Sequence, residues 1–185
     1  TGNTSSNDGD VVGFHGYIDF WVVKLNASGA IEWQKTLGGS DDDSPFAVLQ
    51  ASDGGYIVAG YTRSNNGDVS GNHGDKDVWV VKLNNSGGLD WQKTLGGSGS
   101  DEAWSLELTS DGGYILAGKT NSSDGDVMGT NGLADFWLVK LSIEGVVEWQ
   151  KALGGSSGEW ALSARQTVDG GYIVTGNSKS NDGDV

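Results

Sequence analysis

A chain of 185 residues with 32 glycines, one proline and no cysteine has room for a hydrophobic core but cannot build a disulfide framework or a thiolate metal site. Its formal charge of −14, from 25 acidic against 11 basic side chains, repels nucleic-acid phosphates and anionic lipid and sets both aside as partners. The longest apolar runs are strand-sized, far short of a membrane span, and no signal peptide is visible.

The first element is a polar loop that runs straight into an apolar strand, "SNDGDVVGFHGYIDFWVVKL" at 6–25. The strand carries Phe20 and Val22 on one face and Trp21, Val23 and Leu25 on the other. A strand apolar on both faces belongs in a sheet covered on both sides. Lys24 interrupts it. A lysine stem packed between layers, with its ammonium reaching a carboxylate, explains this position better than a Schiff-base residue. The next strand sets Ile31, Trp33 and Leu37 against Glu32, Gln34 and Thr36, so one of its faces is half wet. "GGS" at 38–40 then hands the chain on.

From here the pattern repeats. The first strand of the next unit is "FAVLQAS" (46–52), and a "DGG" turn with positive φ angles leads to the second, "YIVAGYT" (56–62). A polar loop precedes the third, "VWVVKLN" (78–84), and an "NSGG" turn precedes the fourth, "LDWQKTL" (89–95). Trp33, Trp91 and Trp149 are spaced by 58, as are Trp21, Trp79 and Trp137, and the aspartates Asp53, Asp111 and Asp169 of "DGGY". Units fall at about 1–45, 46–103, 104–161 and 162–185, two complete four-stranded antiparallel blades between two half-blades. A fixed period of this length with no helical pattern predicts one all-β tandem array of the β-propeller kind.

The ends share a phase, "TGNTSSNDGDV" at 1–11 and "TGNSKSNDGDV" at 175–185. Two bare blade faces expose more contiguous apolar surface than a monomer tolerates. Split blades are therefore expected to join copies of the chain, or adjacent repeats, into a ring or a filament.

The unit "DGGYIVAGYT…DVWVVKLNNSGGLDWQKTLGGS" resembles the propeller-type repeats of large secreted or surface proteins of bacteria and archaea, the delta-sixty and kelch-like repeat group. The resemblance spans essentially the whole chain. It implies an extracellular or cell-surface setting, a structural or adhesive role, and a cell-surface glycan or protein as a partner.

The polar loops hold the densest chemistry. Asp8, Asp10 and Asp19 recur as Asn66, Asp68 and Asp77 and again as Asp124, Asp126 and Asp135, among glycines that let backbone carbonyls turn inward. Such hard oxygens suit Ca²⁺, which takes six to eight of them in a flexible cage. The same residue types also build Asx-turns and cap backbone amides with no ion at all. His15 and His73 align with Asn131, so a loop hydrogen bond suits them better than zinc. Six tryptophans keep the repeat phase. Trp104 and Trp160 do not match one another, and with the variable "DDDSPF", "SDEAW" and "SGEWAL" segments they are candidates for lectin-like ligand binding. No nucleophile is set beside a base, no phosphate-binding glycine loop opens a helix, and the carboxylates recur alike in every copy. The chain is not expected to be an enzyme.

Overall fold

The computed structural model describes residues 2–185, an all-β arrangement of thirteen antiparallel strands in four sheets, with no helix among the described residues. β1 (Gly2–Thr4), β2 (Asp19–Leu25) and β3 (Ile31–Leu37) form a three-stranded first sheet. β4 (Asp43–Gln50), β5 (Tyr56–Thr62), β6 (Asp77–Leu83) and β7 (Leu89–Leu95) form the second. β8 (Asp101–Leu108), β9 (Tyr114–Thr120), β10 (Asp135–Leu141) and β11 (Val147–Leu153) form the third, and β12 (Glu159–Gln166) with β13 (Tyr172–Ser178) the last. Each of the two complete sheets is a meander in chain order.

The hairpin joining β4 to β5 turns at Ala51–Gly54, with Gly54 N–H donating to the Ala51 carbonyl at 3.0 Å. Of the two glycines in "DGG", only Gly54 takes a positive φ, 86°. Asp53 lies in the turn, and its carboxylate accepts from Gly55 N–H at 2.9 Å and from Lys82 Nζ.

The first strand of each unit begins earlier than its apolar pattern indicates, at Asp43, Asp101 and Glu159. The variable segments expected to link blades therefore lie largely within strands. Phe46, Trp104 and Leu162 sit at β-bulges, where the register to the neighbouring strand shifts. A bulged residue opposes no partner, which loosens the demand on its identity. Across the bulge the Ser44 carbonyl approaches Gly60 so closely that a Cβ has no room there, and Gly118 and Gly176 stand in the same relation to Glu102 and Trp160.

Apolar layers fill the space between successive sheets. Phe20, Val22 and Leu37 of the first sheet pack with Val58, Trp79, Val81 and Leu83 of the second. The opposite face of the second sheet, with Ile57, Ala59 and Val80, packs with Leu116, Trp137, Val139 and Leu141 of the third. Ile115, Ala117 and Leu138 then meet Ala161 and Ala164 of the last sheet. β6 is buried along its whole length, as a strand apolar on both faces must be.

Candidate functional site

The recurring chemistry gathers at the junctions between sheets. After β3 the chain makes the turn Gly38–Gly39–Ser40–Asp41, and four successive backbone N–H groups there all donate to side chains. Gly38 gives to Asp68 Oδ2 (3.3 Å), Gly39 to Asp43 Oδ2 (2.7 Å), Ser40 to Asn66 Oδ1 (2.8 Å) and Asp41 to Ser64 Oγ (3.0 Å). The next junction repeats this with Asp126, Asp101, Asp124 and Ser122 as acceptors. The third does so with Asp184, Glu159, Asp182 and Ser180. Turn amides that no strand can satisfy are thus held by the loop and first strand of the following unit.

These bonds locate most of the candidate metal ligands. Asn66, Asp68, Asp124 and Asp126 point at the turn amides. Asp8 and Asp10, in the first copy, are exposed; the Asp8 carboxylate accepts from the Ser6 hydroxyl and its backbone carbonyl from Val11 N–H at 3.1 Å. Among the described residues no three His, Cys, Asp or Glu side chains converge in metal-binding geometry.

Asp19, Asp77 and Asp135 have a different task. One oxygen of each accepts from the backbone N–H four residues earlier, His15 (2.6 Å), His73 (3.0 Å) and Asn131 (2.9 Å). His15 and His73 also turn Nδ1 to the same oxygen, at 3.3 and 2.7 Å. The other oxygen, Oδ1, is buried and has no hydrogen-bond partner among the described residues. It faces a second acid across a glycine. Asp19 Oδ1 and Asp43 Oδ2 lie 2.5 and 2.7 Å from where a Cβ on Gly38 would stand, and Asp77 with Asp101 does the same at Gly96. Asp101 Oδ1 is likewise buried without a partner.

Burial pushes the carboxyls of Asp19, Asp43, Asp77 and Asp135 above the ordinary range. The facing acid adds to this for Asp43, Asp77 and Asp135. Glu159 goes the other way. Burial opposes its charge, yet hydrogen bonds from Gly155, Ser180 and Ser178 together outweigh it and pull the carboxyl down to about 2. Of the proposed ligand set, then, only the strand-start aspartates offer buried, unclaimed oxygens that suit a cation. Their partners Asp43, Asp101 and Glu159 were hidden in the variable segments, and the one signal for them is an acid at the same phase in every copy.

Lys82 and Lys140 are the buried stems the pattern indicates, whereas Lys24 is half-buried and pairs with Glu32 of the adjoining strand. Lys82 Nζ reaches Asp53 at 2.7 Å, and Lys140 Nζ reaches Asp111 and Glu148, both at 2.9 Å. Trp21, Trp79 and Trp137 each donate from Nε1 to the glutamine on the adjoining strand, Gln34, Gln92 and Gln150. Trp104 and Trp160 are half-buried and lie on different strands, and Lys179 Nζ sits 4.9 Å over the Trp160 ring.

No family model matches the chain. Over 142 residues, 70% of the chain, it is 29% identical to Regulatory protein FlaEY of Caulobacter vibrioides. The chain spans 15% of that protein's length.

Proposed function

We propose that the chain is a non-catalytic, extracellular repeat scaffold of the β-propeller kind, structural or adhesive in role. One observation carries this reading. Every chemistry-bearing constellation of the candidate site recurs in the same surroundings, the clamped glycine turn and the buried acid pair at successive junctions and the lysine–aspartate link inside the second and third sheets. A catalytic site needs one place that differs from the others, with a perturbed group open to substrate. Here the acids raised by burial, Asp19, Asp43, Asp77 and Asp135, serve the joints between sheets, and the exposed acids held low, Asp53 and Asp111, each anchor a turn of their own sheet to a lysine.

Ca²⁺ belongs to this reading as a stabiliser. The residues that would hold it are Asp19 with Asp43, Asp77 with Asp101 and Asp135 with Glu159, where it would neutralise paired carboxylates. The similarity to Regulatory protein FlaEY, over a small part of that protein, fits a module reused inside longer chains. A surface filament and a lectin using Trp104 or Trp160 are narrower versions of the same role.

Inserting a second copy of residues 43–100 after Ser100 tests the scaffold. If units are interchangeable and lean on their neighbours, the lengthened protein folds and its urea m-value and stability both rise. A lengthened protein that misfolds or loses stability contradicts the reading. A melting temperature lowered by chelator and restored by Ca²⁺ supports the metal, and one indifferent to both removes it.

A further inference from the structure

We propose that a buried ion cluster, Glu102 held between Lys76 and Lys119, selects which unit stands beside which in the stack. This rests on the repeat-scaffold reading and adds a recognition device that the repeat itself does not contain.

Most of each junction is common to all units. The layer between the first and second sheets, with Leu37, Trp79 and Leu83, returns between the second and third as Leu95, Trp137 and Leu141. The backbone bond that enters each new unit is common too. Asp43 N–H donates to the Ile18 carbonyl at 2.7 Å, Asp101 N–H to that of Lys76 at 2.7 Å and Glu159 N–H to that of Ala134 at 2.8 Å. Neither contact tells one unit from another, and repeat chains are prone to misassembly between like units.

The side chains beside that bond do differ. The residue whose carbonyl accepts is Ile18, Lys76 or Ala134, and the residue that follows the donor is Ser44, Glu102 or Trp160. Between the second and third sheets these two positions carry opposite charges. Lys76 Nζ, from the preceding unit, reaches Glu102 at 3.1 Å. Lys119, opposite Glu102 on the neighbouring strand β9, reaches the same oxygen at 3.5 Å. Lys76 also lies over the Tyr61 ring, 4.0 Å from its centroid.

Burial gives this cluster its selectivity. Glu102 is only 8% exposed. A buried ion pair contributes little net stability when complete, yet a charge left without its partner is strongly destabilising, so the cluster acts mainly against wrong neighbours. A unit that offers Ile18 or Ala134 in place of Lys76 leaves Glu102 with Lys119 alone, and Lys76 set beside Ser44 meets no acid. Both lysines already claim the carboxylate, so the cluster is a joint and not a site open to substrate. The Glu107–Arg165 pair at 3.4 Å crosses the next junction, but water screens it and its effect is small.

The test exchanges the residues of this junction for those in phase at the one before it. Lys76→Ile is one block, Glu102→Ser with Lys119→Tyr is the other, and urea unfolding is measured for each block and for the two combined. Each block alone is expected to lower the folded-to-unfolded ratio about tenfold. The combination is expected to recover most of that loss, because one matched set replaces another. A block that folds only in the combination also supports the proposal. Additive losses overturn it, as do blocks without effect alone or a combined variant that does not fold. The lengthened protein decides the scaffold reading separately, since its added junction sets Lys76 beside Ser44 while keeping the apolar layers. Stability gained there with additive losses here leaves the scaffold and removes the selecting role of the cluster.

Discussion

Lys82 and Asp53 are joined across the second sheet at 2.7 Å, the ammonium buried and the carboxylate half exposed. The aspartate belongs to the hairpin between β4 and β5 and the lysine to β6, so the bond ties a turn to the most buried strand of its unit.

Removing either partner has unequal effects. Asp53→Ala strands a buried ammonium and is expected to cost about 1–2 kcal/mol, reduced from the fully buried case because Asp53 still meets water. Lys82→Met keeps the stem, removes the charge and is expected to fall within about 1 kcal/mol of the parent. Urea unfolding of both variants checks this order. The hydrogen bond from Lys82 holds the Asp53 carboxyl below its ordinary value. Its contribution is therefore present above about pH 4 and fades as pH falls through the depressed value.

Gly60→Ala is expected to destabilise by about 2–4 kcal/mol, because the Ser44 carbonyl across the bulge occupies the space of a Cβ. Gly54→Ala, strained only by its positive φ, is expected to cost about 1 kcal/mol. Thermal melts in which Gly54→Ala is the worse of the two contradict this account of the bulge.

Asp43→Asn separates the two uses of the junction acids. It retains an oxygen for the Gly39 and Ser64 donors, turns an amide N–H₂ toward the Thr62 hydroxyl that now donates to Oδ1, and removes one charge from the pair with Asp19. In metal-free buffer stability is expected to hold or rise, and the increment conferred by Ca²⁺ is expected to shrink. A variant that melts earlier without metal and responds fully to Ca²⁺ places the cation elsewhere.

Acid acts in two directions in metal-free buffer. Asp19, Asp43, Asp77 and Asp135 have raised folded-state values, so they bind protons more readily folded than unfolded. Stability rises as pH falls from neutral toward those values. Glu159 has the opposite sign: its contribution is present above the ordinary glutamate value and is lost as pH falls toward about 2. Melting temperature is expected to peak in mild acid and fall below about pH 4. A curve that declines steadily from neutral contradicts the paired-acid geometry.

The strands and the lysine stems were legible because period-2 patterning and burial on two faces are local properties of "DVWVVKL" and "YIVAG". For Asp19 the sequence left two tasks open, Ca²⁺ ligation and capping of loop amides, and the hydrogen bond from His15 N–H is the second of them. The junction was not legible. In a sequence that repeats every 58 residues, Asn66 stands in the same phase relation to the turn of its own unit as to that of the preceding one, and only the fold selects Ser40. Asp43, Asp101 and Glu159 were obscured for another reason: the bulges at Phe46, Trp104 and Leu162 break the alternation that marks a strand, so the acids ahead of them read as loop.

The clearest test of mutual support between units is the single unit alone. Residues 43–100 contain all four strands of the second sheet, yet Trp79, Val81, Ile57 and Val80 bury themselves against the sheets on either side. Expressed by itself, this segment is expected to give a collapsed amide proton spectrum and no cooperative melt. A dispersed spectrum with a sharp, reversible melt would contradict the dependence of each sheet on its neighbours.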